Sequence, residues 1–167
     1  MATLRHASFA PHVARDTRLL ILGSLPGARS LAERQYYAHP TNQFWRLVGD
    51  VIGQPLAALS YDDRLAALRA ARVGLWDVIR TAERHTSSDS QIRDAEAHDL
   101  AALVATLPDL RMIAFNGGKA AAIGRRQLPM LDGVDVIDLP SSSAANTIGY
   151  AGKWKQWQRL AAALDNN

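Results

Sequence analysis

Tyr36, Tyr37, His39, Asn42, Phe44 and Trp45 stand within one short stretch, QYYAHPTNQFW. Flat rings stack on planar ligands, and a side-chain amide both donates and accepts hydrogen bonds. Pro26, Gly27 and Pro40 break this region too often for one regular element. Just upstream, the apolar run Leu19 to Leu22 ends in Gly23-Ser24-Leu25-Pro26-Gly27. Two readings of that turn stay open. It is a sharp strand-to-loop connection, or its glycines let backbone amides approach a small planar ligand. It is no phosphate loop, because Gly-x-Gly-x-x-Gly is missing and Gly118-Lys119 is followed by alanine where Ser or Thr is needed. Ser24 lies outside any Gly-x-Ser-x-Gly elbow, which argues against a hydrolase built on Ser24, His39 and Asp77.

Two further polar residues interrupt apolar strings. Asp77 sits in VGLWDVI, where a carboxylate is costly unless it has a hydrogen-bond partner or faces a pocket. Asn116 ends an apolar run at a glycine pair and reads either as a turn residue or as a ligand contact. The histidines at 6, 12, 39, 85 and 98 show no metal-ligand spacing, and each reads as a surface or hydrogen-bonded ring. The chain has no cysteine, which removes disulfides and cysteine-held metal centres and fits a reducing cytoplasm. No metal and no cofactor are expected.

These residues need a scaffold. A chain of 167 residues with 48% hydrophobic content suits one domain with a real core, taken here as 1–167. The first eighteen residues lack the apolar stretch of a signal peptide, and nothing approaches a membrane span. A net charge of +3 permits a polyanionic partner without requiring one. Strands are predicted at Leu19 to Leu22, Val73 to Ile79, Arg111 to Phe115 and Val134 to Leu139. Helices are predicted at Phe44 to Ile52, Asp62 to Ala71, His98 to Leu107, Lys119 to Arg126 and Lys153 to Leu164. The stripe of Trp154, Trp157, Leu160, Ala161 and Leu164 reads as core. Arg80 to Asp94 is polar and reads as a loop.

Alternating strands and helices predict a three-layer α/β/α fold with a four-stranded, mainly parallel sheet. Such sheets bind ligands beyond the carboxyl ends of their strands. The segments that follow the strands hold nearly all the unusual chemistry: Gly23 to Gln43, Asp77 to Asp94, Asn116 to Lys119 and Pro140 to Gly152.

GSLPGARSL followed by QYYAHPTNQFW, then VGLWDVI, SSDSQI, FNGGKA and LPSSSAAN in that order, resembles the hypoxanthine-DNA glycosylases. These form family 6 of the uracil-DNA glycosylase superfamily. The resemblance runs from about Ser8 to Trp157. Two departures from the wider superfamily favour this branch. Leu25 stands where the first motif usually carries a catalytic Asn, Asp or Glu, and Leu139 stands where a later motif often has histidine. RHTSSDSQI is a loose copy of the family loop, and Ala144 replaces a common proline.

The resemblance implies a monomeric, monofunctional enzyme that flips a deaminated base out of double- or single-stranded DNA and hydrolyses its glycosidic bond. It implies that Asn42 holds the attacking water, by positioning and electrostatics since an amide is a poor base. Tyr37 would stack on the base, with Gly23, Ser24, Leu25, Asp77 and Asn116 completing its pocket. Pro26, Gly27, Ser141, Ser142, Ser143 and Lys153 would meet the DNA, the loop Ser141 to Asn146 filling the vacated stack. The implied location is cytoplasmic, with the nucleoid during repair. A catalytically silent DNA- or nucleotide-binding member of the fold is the alternative.

Overall fold

The computed structural model describes residues 5–83, 93–128 and 130–165. SSDSQI and His85 lie outside them. Four strands build a parallel sheet: β2 (Leu19–Gly23), β3 (Val73–Asp77), β6 (Met112–Asn116) and β7 (Asp135–Leu139), in the order β3-β2-β6-β7. β2, β3 and β6 are buried along their whole length because both faces of the sheet are covered. Alternate residues feed opposite cores. Leu19, Ile21, Val73, Leu75 and Ala114 face one side with Phe44, Leu47, Leu68 and Trp157. Leu20, Leu22, Trp76, Ile113 and Phe115 face the other with Leu100 and Ala120. This is the expected α/β/α arrangement.

The first core is covered by α2 (Phe44–Ile52), α3 (Tyr61–Ala70) and α6 (Tyr150–Trp157), which runs on as a 3-10 turn Gln158–Ala163. Ser60 caps α3 by accepting from the Asp63 amide at 3.2 Å. The second core is covered by α4 (Leu100–Val104) and α5 (Gly118–Gln127). Gly124 lets α5 sit directly on the sheet, since a Cβ there would fall 2.1 Å from the Phe115 ring. Trp157 and Leu160 are fully buried, as their stripe predicts.

Two elements differ from the sequence reading. The strand expected over Val73 to Ile79 stops at Asp77, and the stretch expected as a loop after Ile79 begins and ends in strands of a second sheet. β4 (Ile79–Glu83) pairs antiparallel with β1 (Arg5–Ala7) and, through irregular registers, with β5 (Arg93–Ala97). Their Arg, Ala, Asp and Glu residues are poor strand formers, and pairing overrides that preference. The other is α1 (Ala28–Glu33), a helix too short to show a periodicity and without a side-chain cap. The segment ahead of β2 straps the open edge of β3, where His12 and Leu75 exchange both backbone hydrogen bonds at 2.9 Å.

Candidate active site

The parallel strands end together, and their register brings the polar residues side by side. Gly23 pairs with Asp77 across β2 and β3, and Asn116 pairs with Leu139 across β6 and β7. Beyond these ends lies a cleft of about 610 Å³. Every site residue picked from the sequence lines it except Lys153.

Tyr37 forms one wall. Its ring is stacked on Phe44, with centroids 3.8 Å apart and planes 12° from parallel. Phe44 is fully buried and meets Trp45 and Trp157 edge-on, so the stack is backed by the first core. Tyr37 adopts a positive φ of 52°, which an L-residue occupies only at a cost of about 1–2 kcal/mol. Two contacts hold that turn: Ser30 Oγ accepts from the Ala38 amide at 3.0 Å, and Trp45 Nε1 donates to the Tyr37 carbonyl at 3.1 Å.

Gly23 is the tightest point of the floor. A Cβ there would lie 2.7 Å from Asp77 Oδ1 and 2.9 Å from Tyr37 Oη. The glycine is therefore required by the packing of these two side chains against the end of β2. Asp77 is buried at the end of β3. Next to it, the Tyr36 phenol donates to the Ala10 carbonyl at 2.8 Å. Burial, reinforced by the charge of Asp77, raises its pKa far above the usual phenol range, so Tyr36 stays a neutral donor.

Asn42 bridges the cleft and a helix end. Its Oδ1 accepts from the Phe44 amide at 3.0 Å while the residue lines the cleft. Asn116 is bound on both sides of its amide. Oδ1 accepts from the Ser142 amide at 2.9 Å, and Nδ2 donates to Ser142 Oγ at 2.9 Å and to Tyr37 Oη at 3.3 Å. It therefore ties the Ser141–Asn146 loop and the Tyr37 wall to β6.

Two residues expected at the DNA surface lie deeper. Ser142 is fully buried, its side chain taken by Asn116, so it shapes the floor and does not face outward. Lys153, in the first turns of α6, is 1% exposed, and its ammonium donates to the Ser143 carbonyl at 3.0 Å. Burial lowers its pKa. A lysine near a helix start reads as solvated in sequence, and only the packing of α6 under the loop hides it.

The cleft also gathers residues that the sequence reading left outside the site. His39 is the clearest: its Nδ1 accepts from the Thr41 amide at 3.2 Å, so a neutral ring carries its proton on Nε2. Its place in the His-Pro-x-Asn run was the available signal. Lys119 and Arg29 line the cleft as cations, Arg29 paired with Glu33 at 2.9 Å. Among the described residues no cluster of His, Asp and Glu could hold a metal ion.

A sequence model of the uracil DNA glycosylase superfamily matches residues 10–162. The chain belongs to that superfamily. It is 42% identical over 147 residues to a protein of Methanosarcina acetivorans named hypoxanthine DNA glycosylase, covering 87% of this chain and 90% of the relative. It is 37% identical over 154 residues to one of the same name from Methanosarcina barkeri, covering 92% and 96%. A solution structure from Methanosarcina acetivorans, provisionally assigned as a uracil DNA glycosylase, superposes with a TM-score of 0.85 at 38% identity, covering 96% of this chain and 99% of that one. The chain is a DNA glycosylase, and its substrate is DNA. The glycosylase presents Arg29, His39 and Lys119 along the cleft, cationic or polar groups suited to a polyanion. No described helix is long and apolar enough to cross a membrane.

Proposed function

We propose that this glycosylase excises hypoxanthine from DNA, with Asn42 as the catalytic residue and no metal. The observation that carries the proposal is the meeting of Tyr37, Asn42 and Asp77 in one cleft. A stacking wall, a water-positioning amide and a hydrogen-bond acceptor are the groups a flipped purine needs. The relatives named hypoxanthine DNA glycosylase support the choice of base.

The extruded base slides against Tyr37, whose far face is held by Phe44. The Asp77 carboxylate accepts from N1–H of hypoxanthine, a proton that adenine lacks. Backbone amides of the Gly23–Gly27 turn contribute donors at the base edge. Asn42 holds water against C1′. As the C1′–N9 bond breaks, the water oxygen bonds to C1′, and one of its protons finishes on the departing base. Asn42 acts by placing water and stabilising charge, since its amide cannot take the proton. Asn116 acts through Ser142 and Tyr37 and contributes shape. Ser141, Ser143, Pro26 and Gly27 meet the strand at the lip, the protein acting as a monomer.

The deciding measurement is a panel of duplexes carrying a single deoxyinosine, deoxyuridine or deoxyxanthosine. Each is incubated with the enzyme in EDTA and then treated with alkali. Strand cleavage at deoxyinosine that exceeds the other two supports the reading. Preference for deoxyuridine would reassign the base. Absence of any alkali-labile site would point to a silent DNA-binding member of the superfamily.

A further inference from the structure

We propose that Lys153 is a positioning residue for the DNA-engaging lip: its buried ammonium fixes and polarises the Ser143–Ala144 peptide, so that the Ala144 N–H receives a phosphodiester oxygen beside the extruded nucleotide. The proposal rests on the DNA glycosylase reading of the cleft and adds to it a residue that does not line the cleft.

The loop after β7 is pinned by its carbonyls. Pro140 O accepts from Trp157 Nε1 at 2.9 Å, and Ser141 O from Asn146 Nδ2 at 3.2 Å. Ser142 O accepts from the Gln43 amide at 3.0 Å. Ser143 O accepts from the Asn146 amide and from Lys153 Nζ, both at 3.0 Å. Neutral donors suffice for the first three. At the fourth, a lysine with 1% of its surface exposed supplies a charge. Burying an ammonium is costly, and a neutral amide would satisfy one carbonyl more cheaply. The charge is what packing leaves unexplained.

A charge-assisted hydrogen bond is shorter and stronger than a neutral one, and in a low-dielectric setting it polarises the groups beyond it. The peptide whose carbonyl takes the Lys153 proton has its N–H on Ala144. Ala144 is exposed, lines the cleft, and its N–H has no acceptor among the described residues. A strengthened N–H at a cleft lip suits an anion. In DNA that anion is the phosphodiester.

Two variants test this. Lys153→Met keeps the length of the side chain and removes the charge. Lys153→Cys, alkylated with 2-bromoethylamine in denaturant and refolded, restores an ammonium near the original position. The chain has no other cysteine, so the alkylation strikes one site. Binding is read by anisotropy on a labelled duplex holding a tetrahydrofuran abasic analogue, a probe indifferent to which base is excised. Lys153→Met is expected to melt at or above the wild-type temperature while binding about tenfold more weakly. Counterion release follows cations set against phosphates, and here a neutral N–H takes the oxygen, so the log–log salt slope should stay close to that of wild type. Aminoethylation should restore the affinity. Unchanged binding overturns the proposal. So does weaker binding that only tracks a lower melting temperature, a slope that falls by ~0.9 as direct contact of Lys153 with a phosphate would give, or a refolded aminoethyl protein that melts like wild type but does not regain binding. Wild-type excision of deoxyinosine runs alongside: its failure, with the Lys153 effect intact, rejects the choice of base and leaves the lip in place.

Discussion

Tyr37 lies flat on Phe44 at 3.8 Å, one ring in the cleft and the other fully buried behind it. The pair fixes the plane on which a base would stack before any DNA arrives. Tyr37→Phe keeps the ring and removes only the hydroxyl that accepts from Asn116 at 3.3 Å. Its excision rate is expected within a few-fold of wild type. Tyr37→Ala loses the stack, worth about 1–3 kcal/mol per base, so single-turnover excision should fall roughly ten- to hundredfold. A melting curve separates this from collapse: a large fall in Tm would make the ring a core element first.

Asn42 has a structural bond and a proposed catalytic duty, and one substitution separates the two by size. Its bond to the Phe44 amide is a turn bond just ahead of the Gln43 cap, and losing that hydrogen bond should cost Asn42→Ala about 1 kcal/mol of stability. Removing a preorganised polar group from a reacting centre costs about a hundredfold or more in rate. Leu25 occupies the position in the glycine turn that could otherwise supply a substitute and offers no polar atom. Single-turnover excision by the folded variant decides. Near wild-type rates would shift the catalytic assignment to Asp77.

Gly23→Ala is a small change in a place with no room. The added methyl would fall within 3 Å of both Asp77 Oδ1 and Tyr37 Oη. Overpacking costs about 1–3 kcal/mol, and here the two displaced groups belong to the proposed base pocket. Excision should fall at least tenfold while binding to an abasic duplex changes less. Wild-type kinetics from Gly23→Ala would show that Tyr37 and Asp77 can part without consequence.

His98 gives the fold an acid limit away from the cleft. Its ring is stacked on Trp76 at 3.9 Å and bonded to Ser8 Oγ at 2.6 Å. Burial first, and the charge of Arg80 second, push its pKa down to about 4. An unfolded histidine takes up a proton near pH 6.5. As pH falls from 6.5 towards 4, the unfolded state gains a proton that the folded state refuses, so stability is lost across that window and levels off below it. The loss is about 1–3 kcal/mol at ~1.4 kcal/mol per unit. Urea unfolding at pH 7 and pH 4.5 should show a smaller difference for His98→Phe than for wild type. Equal differences would place the proton uptake elsewhere.

The central sheet was legible because burial on both faces leaves long apolar runs, and Gly23 and Asn116 mark where two of them stop. The run from Val73 to Ile79 hid the break after Asp77, where β3 ends and β4 follows. α2 was readable from Phe44 to Ile52 because one face is strongly apolar and Gly53 closes it in the left-handed region. The antiparallel sheet was not, since Arg93–Ala97 holds only polar and alanine residues whose pairing depends on partners far along the chain. Asn42, Tyr37 and Asp77 could be picked out by type and by resemblance, and they meet in one cleft. What could not be picked out is occupancy. Nothing in FNGG shows that the Asn116 amide is taken on both sides by Ser142 and Tyr37, and nothing in YAGKW shows that Lys153 points inward. Those facts belong to the packing of distant segments.

The strand order also sets a schedule for synthesis. β2 emerges early, yet both of its neighbours, β3 and β6, come later in the chain, and β6 trails it by nearly a hundred residues. At about 5–20 residues per second, β2 waits roughly 5–20 s for its second partner. Pairings this distant in sequence fold slowly and leave an apolar strand exposed in the meantime. The cleft is later still, because its lip and the lysine beneath it follow β7. A nascent chain on the ribosome therefore carries the Tyr37–Asn42 segment long before it has a pocket.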